Sequence, residues 1–241
     1  MDNRRQFLHR SLQVSLFSLI TSSGVGGLLG TRAQAQLLGQ IPGELPPGRS
    51  IYELQGEVWI DGVRANLNSQ VTADSHLRTG SNSLIIFVVG RDAYILREQS
   101  ELQLCSEGAL ATGLRLLTGK VLSVFGQRSD ESLTLSTSTA TIGIRGTGVY
   151  AESHADYSYL CTCYGTTELS ANARPSERER IQATYHDARI VLAKPENGRL
   201  ILPGPFINHT DEELSLIEAL VGRKTPFNAM RQDYQGPQRR Y

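Results

Sequence analysis

Two cysteines one residue apart are where this 241-residue chain most directly suggests chemistry. Cys161-Thr162-Cys163 falls in an apparent strand, Tyr157 to Tyr164, where a period of two puts both sulfurs on one face. Their Cα atoms would then lie about 7 Å apart, at or beyond the limit for an unstrained disulfide. Two thiolates on one face can instead chelate a metal. Downstream stand His186, within Thr184-Tyr185-His186-Asp187, and His209, just ahead of a helix signal. Two Cys and two His are a common tetrahedral set for zinc, and other transition metals take the same donors. The histidines follow Cys163 by 23 and 46 positions, which is no compact finger, so the fold would have to bring the four together. Asp187 is a candidate outer partner and His154 a substitute ligand. The competing reading needs no cofactor: both cysteines are packed core residues and both histidines satisfy nearby backbone. Cys105 and His76 stand isolated and read as structural. Three cysteines cannot all pair within one chain, so no disulfide framework is expected.

Other chemistry finds little support. Gly143, Arg145, Gly146 and Thr147 invite a phosphate-loop reading, but such a loop runs from a strand into a helix and ends on Lys-Ser/Thr. Here strand-like sequence lies on both sides and no Lys follows. The glycines read as a bulge or corner, with Arg145 folded onto a carboxylate or carbonyl. There is no G-x-S-x-G elbow, H-E-x-x-H, C-x-x-C or haem attachment site, and no acid/base pair stands out among Glu98, Glu101 and Glu107. The expectation is a protein that is not an enzyme. The 24 basic and 24 acidic residues leave the chain formally neutral, which removes the simplest case for a nucleic-acid partner.

The elements that must position these residues are mostly short β runs. Glu57–Ile60 meets Val63–Ala65 across Asp61-Gly62, a type I′ hairpin signal. Ser83–Val89 and Ala93–Leu96 flank Gly90-Arg91-Asp92, and Gly113–Leu117 and Lys120–Phe125 flank Thr118-Gly119. Ser132–Ser138, Gly148–Glu152 and Tyr157–Tyr164 follow, and Gln182–Tyr185 with Arg189–Leu192 would close the set. This spacing predicts an all-β fold, a sandwich or β-roll of short strands with a short C-terminal α-helix. The helix, at about 211–221, opens with a capping box, Thr210-Asp211-Glu212-Glu213. Leu214, Ile217, Leu220 and Val221 give it an apolar stripe, and Gly222 ends it. Past Pro226 a mobile tail is expected.

Residues 1–35 carry the three parts of an export signal. Arg4, Arg5, Phe7 and Leu8 fit the twin-arginine pattern, the following stretch is only mildly apolar, and Ala33-Gln34-Ala35 offers an A-x-A cleavage site. Cleavage there leaves a net charge of −3 and no apolar run near spanning length, so a periplasmic mature form with no membrane span is expected. Twin-arginine export moves folded proteins and often serves those that acquire a cofactor first. Residues 36–49, rich in Gly and Pro, read as a lead-in linker.

Two stretches resemble a known family. Val71–Gly80 is similar to the FecR-domain pattern of a hydrophobic turn leading to Thr-Gly before a strand. Thr137–Thr147, a Thr/Ala-rich strand running into Gly-Ile-Arg-Gly-Thr, resembles that domain's closing signature. The resemblance covers about 52–152, placing a FecR-like β domain at 50–152 and a β extension with the helix and tail at 153–241. FecR itself is a membrane-anchored regulator that senses an iron-transport receptor and signals to a cytoplasmic sigma factor. This chain shows neither a cytoplasmic N-terminal segment nor an anchor, so direct sigma-factor control is not expected. The resemblance instead implies periplasmic sensing or binding through an unidentified periplasmic or envelope protein. A subset of exported FecR-like proteins is similar beyond that domain, with a C-x-C-Y-G strand and an Asn-His-Thr-Asp segment matched by Cys161–Gly165 and Asn208–Asp211. A metal-binding or redox protein using Cys161, Cys163, His186 and His209 is the alternative function.

Overall fold

Alternation of inward and outward side chains runs through nearly every strand of the computed structural model, which describes residues 42–107, 110–127 and 133–227. The expected export signal, residues 36–41 of the lead-in and the expected C-terminal tail past 227 lie outside the described residues. Among the described residues fourteen strands join in one sheet, followed by a single α-helix. The first six are β1 (Ile51–Gln55), β2 (Val58–Ile60), β3 (Val63–Arg64), β4 (His76–Thr79), β5 (Leu84–Val89) and β6 (Asp92–Leu96). Next come β7 (Glu101–Glu107), β8 (Leu110–Val124), β9 (Leu133–Ser136), β10 (Ala140–Ser153) and β11 (Tyr157–Ala171). β12 (Arg174–Ala183), β13 (Asp187–Glu196), β14 (Arg199–Gly204) and α1 (Asp211–Leu220) complete the set. All pairings are antiparallel except β8 with β9.

The long strands carry the architecture by changing partners midway. β10 pairs with β9 over Thr141–Ile144 and with β8 over Gly148–Ser153. Its hairpin mate β11 pairs with β13 over Tyr157–Thr162 and with β12 over Gly165–Ala171. At the changeover the register slips between Arg145 and Gly148 and again between Gly148 and Val149. Because Gly148 sits opposite Tyr164 and Val149 opposite Thr162, Cys163 is the extra residue of a bulge. Gly148 has to be glycine here, since a Cβ would come within 2.5 Å of the Tyr164 ring. Gly146 adopts φ +61° in the same corner.

Period two sorts the buried side chains into two clusters. Tyr94, Leu96, Val121, Val149, Ala151 and Leu160 face an inner core with most of the other aliphatic residues. Their neighbours Ala93, Ile95, Leu122, Tyr150, Tyr159, Cys161 and Cys163 face the other way, where Leu214, Ile217 and Leu220 of α1 cover them. Burying each large aliphatic side chain contributes roughly 1.5–3 kcal/mol, which is what makes a one-residue slip of these strands so unfavourable. The helix starts on the expected capping box: Thr210 Oγ1 accepts from Glu213 N at 3.2 Å and Glu213 Oε2 accepts from Thr210 N at 3.0 Å.

The Asp61-Gly62 hairpin forms, with φ of +51° and +79°. Two strand expectations need correction. Thr118-Gly119 is no hairpin turn, because β8 runs straight through it. Gly119, at φ +87°, lets the strand pass against Ser100, whose Oγ would lie 2.1 Å from a Cβ. Nor do the segments around 182–185 and 189–192 pair with each other; β12 and β13 each pair with a different half of β11.

Candidate metal centre

Three separate elements bring four ligand-type side chains to one point. Cys161 and Cys163 project from β11 toward α1, Cys163 from the bulge. His186 ends the β12–β13 connection, where its amide donates to Cys163 O at 2.9 Å and its backbone takes φ +31°. His209 sits in the lead-in to α1, between Asn208 at φ +62° and the N-cap Thr210. Left-handed backbone at non-glycine residues is uncommon, and here two such residues set the two imidazoles.

Three of the distances match the edges of a tetrahedral site. Cys161 Sγ lies 3.5 Å from His186 Nδ1, Cys163 Sγ 3.4 Å from His209 Nε2, and the two nitrogens are 3.2 Å apart. All four ligand atoms fall within 4.8 Å of one another. A tetrahedron with Zn–S of about 2.3 Å and Zn–N of about 2.05 Å has S···N edges of about 3.55 Å and an N···N edge of about 3.3 Å.

The outer hydrogen bonds fix which nitrogens are free. His209 Nδ1 is 2.7 Å from Ile207 O, and a carbonyl only accepts, so Nδ1 carries the proton and Nε2 keeps its lone pair. His186 Nε2 donates to Asp211 Oδ1 at 2.9 Å, leaving Nδ1 as the acceptor. Two nitrogen lone pairs thus face each other beside two sulfurs, and a cation between them satisfies all four. Each imidazole has its partner on its far side, as metal-bound histidines usually do.

The site is closed. Cys161 and Cys163 are wholly buried and His209 nearly so, and the His186 side chain is 2% exposed. Tyr150 stacks on His209 with centroids 4.5 Å apart, while Phe206 and Phe227 flank His186. Without an ion, protons on the two inner nitrogens would make them donors: the Cys161 thiol is pulled down to about 4 by the hydrogen bond from Cys163, with His186 and His209 adding to it against the effect of burial. Burial pushes Cys163 up. Burial alone would lower His186, but its bonds to Cys161 and Asp211 raise it.

Other candidate residues lie elsewhere. Asp187 is taken by Arg189, and Asp211 holds the outer position for which Asp187 was a candidate. His154 pairs with Glu152 at 2.9 Å and stays out of the cluster. His76 pairs with Glu101, and Cys105 lies opposite Gly113. Gly143, Arg145, Gly146 and Thr147 lie within β10 at its corner, where Arg145 faces Glu168 at 3.9 Å on the surface. Sequence reasoning missed Glu152, which is buried on the face below His209, and Arg97, whose guanidinium bonds both Asn208 O and Glu213. Nothing in the local sequence of either marks it.

No protein-family model and no curated protein matches the chain. Two solved structures are similar, both of a candidate anti-sigma factor from Parabacteroides distasonis ATCC 8503, at 2.50 Å and 1.65 Å resolution. Each has a TM-score of 0.45 and 12% identity, over 54% of this chain and 58% of the other. The chain therefore spans little more than half the length of the solved chains it resembles. Among the described residues no helix is long and apolar enough to cross a membrane.

Proposed function

We propose that this protein is an exported, non-enzymatic β module built around a transition-metal centre, with Cys161, Cys163, His186 and His209 as ligands and zinc as the favoured ion. The observation that carries it is the near-tetrahedral meeting of two sulfurs and two imidazole nitrogens whose other nitrogens are already engaged. Four protein ligands leave no open position for substrate or water, which is the pattern of structural rather than catalytic zinc. The short S···N distances suit one ion. A two-iron cluster would place thiolates and imidazoles on different irons, farther apart. The ion would tie the β12–β13 connection and the start of α1 to β11, so metal binding and docking of the C-terminal segment are linked. Twin-arginine export would deliver such a protein to the periplasm already loaded.

Binding of a periplasmic or envelope protein, the role the FecR resemblance implies, is the second reading. Tyr185, Phe206 and Ile207 favour it, because they stay substantially exposed beside the buried centre. Thermal unfolding of the mature protein before and after chelator treatment tests the first reading. A large fall in Tm, restored by Zn²⁺ but not by Mg²⁺, is expected. An unchanged Tm with no metal uptake would overturn it.

A further inference from the structure

His209 is the one ligand without a strand or a paired backbone to aim it. We infer that Glu152 is a positioning residue for the metal centre, holding His209 Nε2 on the ion through Asn208 and Tyr150. This inference rests on the metal reading above. A single carboxylate oxygen, Glu152 Oε1, accepts from Asn208 Nδ2 and from Tyr150 OH, each at 2.7 Å. Asn208 immediately precedes the ligand and holds the left-handed turn that points it inward. The Tyr150 ring lies nearly parallel to the imidazole, inclined by 21°. The same carboxylate therefore fixes both the backbone leading into His209 and the surface its ring rests on.

The surroundings favour a specific role over incidental packing. Glu152 is 3% exposed, and its hydrogen-bond partners are the Tyr150 hydroxyl, the Asn208 amide and His154 Nε2. A buried carboxylate costs stability unless well bonded, and here three partners depend on it. Its hydrogen bonds keep it ionised, below the usual glutamate range, despite burial that acts the other way. Arg97 completes the clamp from β6's end: its Nη2 donates to Asn208 O at 3.0 Å and to Glu213 at 2.8 and 2.9 Å. Outer groups of this kind change metal affinity without touching the ion.

The experiment uses the full mature chain, stripped of metal and titrated with Co²⁺, followed by Zn²⁺ competition against a chelator. Glu152→Gln and Asn208→Gly are the variants. Glycine keeps the left-handed backbone at 208 and deletes only the amide link. We expect Zn²⁺ affinity to fall roughly tenfold to a hundredfold in both, with a shifted or weakened Co²⁺ ligand-field band. Affinity within twofold of wild type and an unchanged band in either folded variant, even with a lower Tm, would leave Glu152 a purely structural residue and overturn the inference. If Glu152→Gln does not fold, Asn208→Gly decides alone. A wild-type chain with no Co²⁺ band overturns the metal reading itself, a result distinct from normal binding in the variants.

Discussion

On β11, Leu160 turns inward to join Val149, Ala151 and Val191, whereas Tyr159, Cys161 and Cys163 turn outward beneath α1. The inner cluster is aliphatic apart from Phe87, Tyr94 and Phe125. The helix-facing side holds two thiols, two buried imidazoles and the carboxylates of Glu152 and Glu218, the latter bonded by Tyr164 and Arg223. One set of strands thus builds a face whose burial is favourable by itself and a face whose burial is costly until every group is bonded. Both faces bury aliphatic side chains, but the ligand-type side chains lie only on the second. The difference teaches that the C-terminal helix covers its face with an apolar stripe, Leu214, Ile217 and Leu220, and also closes over polar groups that must each find a partner.

The comparison breaks first at the metal. Cys163→Ser should abolish Zn²⁺ binding and all metal-dependent stabilisation, about 4 kcal/mol when free Zn²⁺ is a thousandfold above Kd. Unfolding with and without Zn²⁺ reads this directly, and a variant still stabilised by Zn²⁺ would place the site elsewhere. On the opposite face Leu160→Ala should cost about 2–5 kcal/mol, equally with and without metal, in the same assay. Thr210→Ala, which removes the N-cap, should cost about 1 kcal/mol and be felt mainly as faster hydrogen exchange in α1.

Acid should separate the faces by sign. The pKa of Glu152 lies below its ordinary value of 4.5 because Asn208, His154 and Tyr150 bond the carboxylate, outweighing burial. Its contribution is therefore fully present above the ordinary value and is lost as pH falls through the lowered one. In metal-free protein the α1 amides should lose exchange protection in that window while the inner strands keep theirs. Simultaneous loss across both faces would show that they are not separable. Least of all, Arg145→Ala should change stability by under about 0.5 kcal/mol, since its pair with Glu168 is solvent-exposed.

The sequence made much of this arrangement legible wherever the cause was local. Period two aligned Cys161 with Cys163, Asp61-Gly62 turned the first hairpin, and Thr210 with Glu213 marked the start of the helix. What it hid depended on distant partners. Gly119 looks like a turn until Ser100 is seen packed against it. The two halves of β11 choose different partners because the strand bends at the Cys163 bulge, which Tyr164 over Gly148 accommodates. Asp187 was the nearer acid in sequence, yet Asp211 reaches His186 because the capping box places it at the first turn of α1. Glu152 reads as an ordinary strand glutamate until Asn208, 56 residues on, bonds to it.

The most direct test of a metal at Cys161, Cys163, His186 and His209 is metal stoichiometry by elemental mass spectrometry on mature protein purified after native export, without chelator or His-tag. Close to one zinc, or one other transition-metal ion, per chain is expected, lost in Cys163→Ser. A well-folded, metal-free wild-type protein would contradict it and return Cys161, Cys163, His186 and His209 to the role of packed core residues.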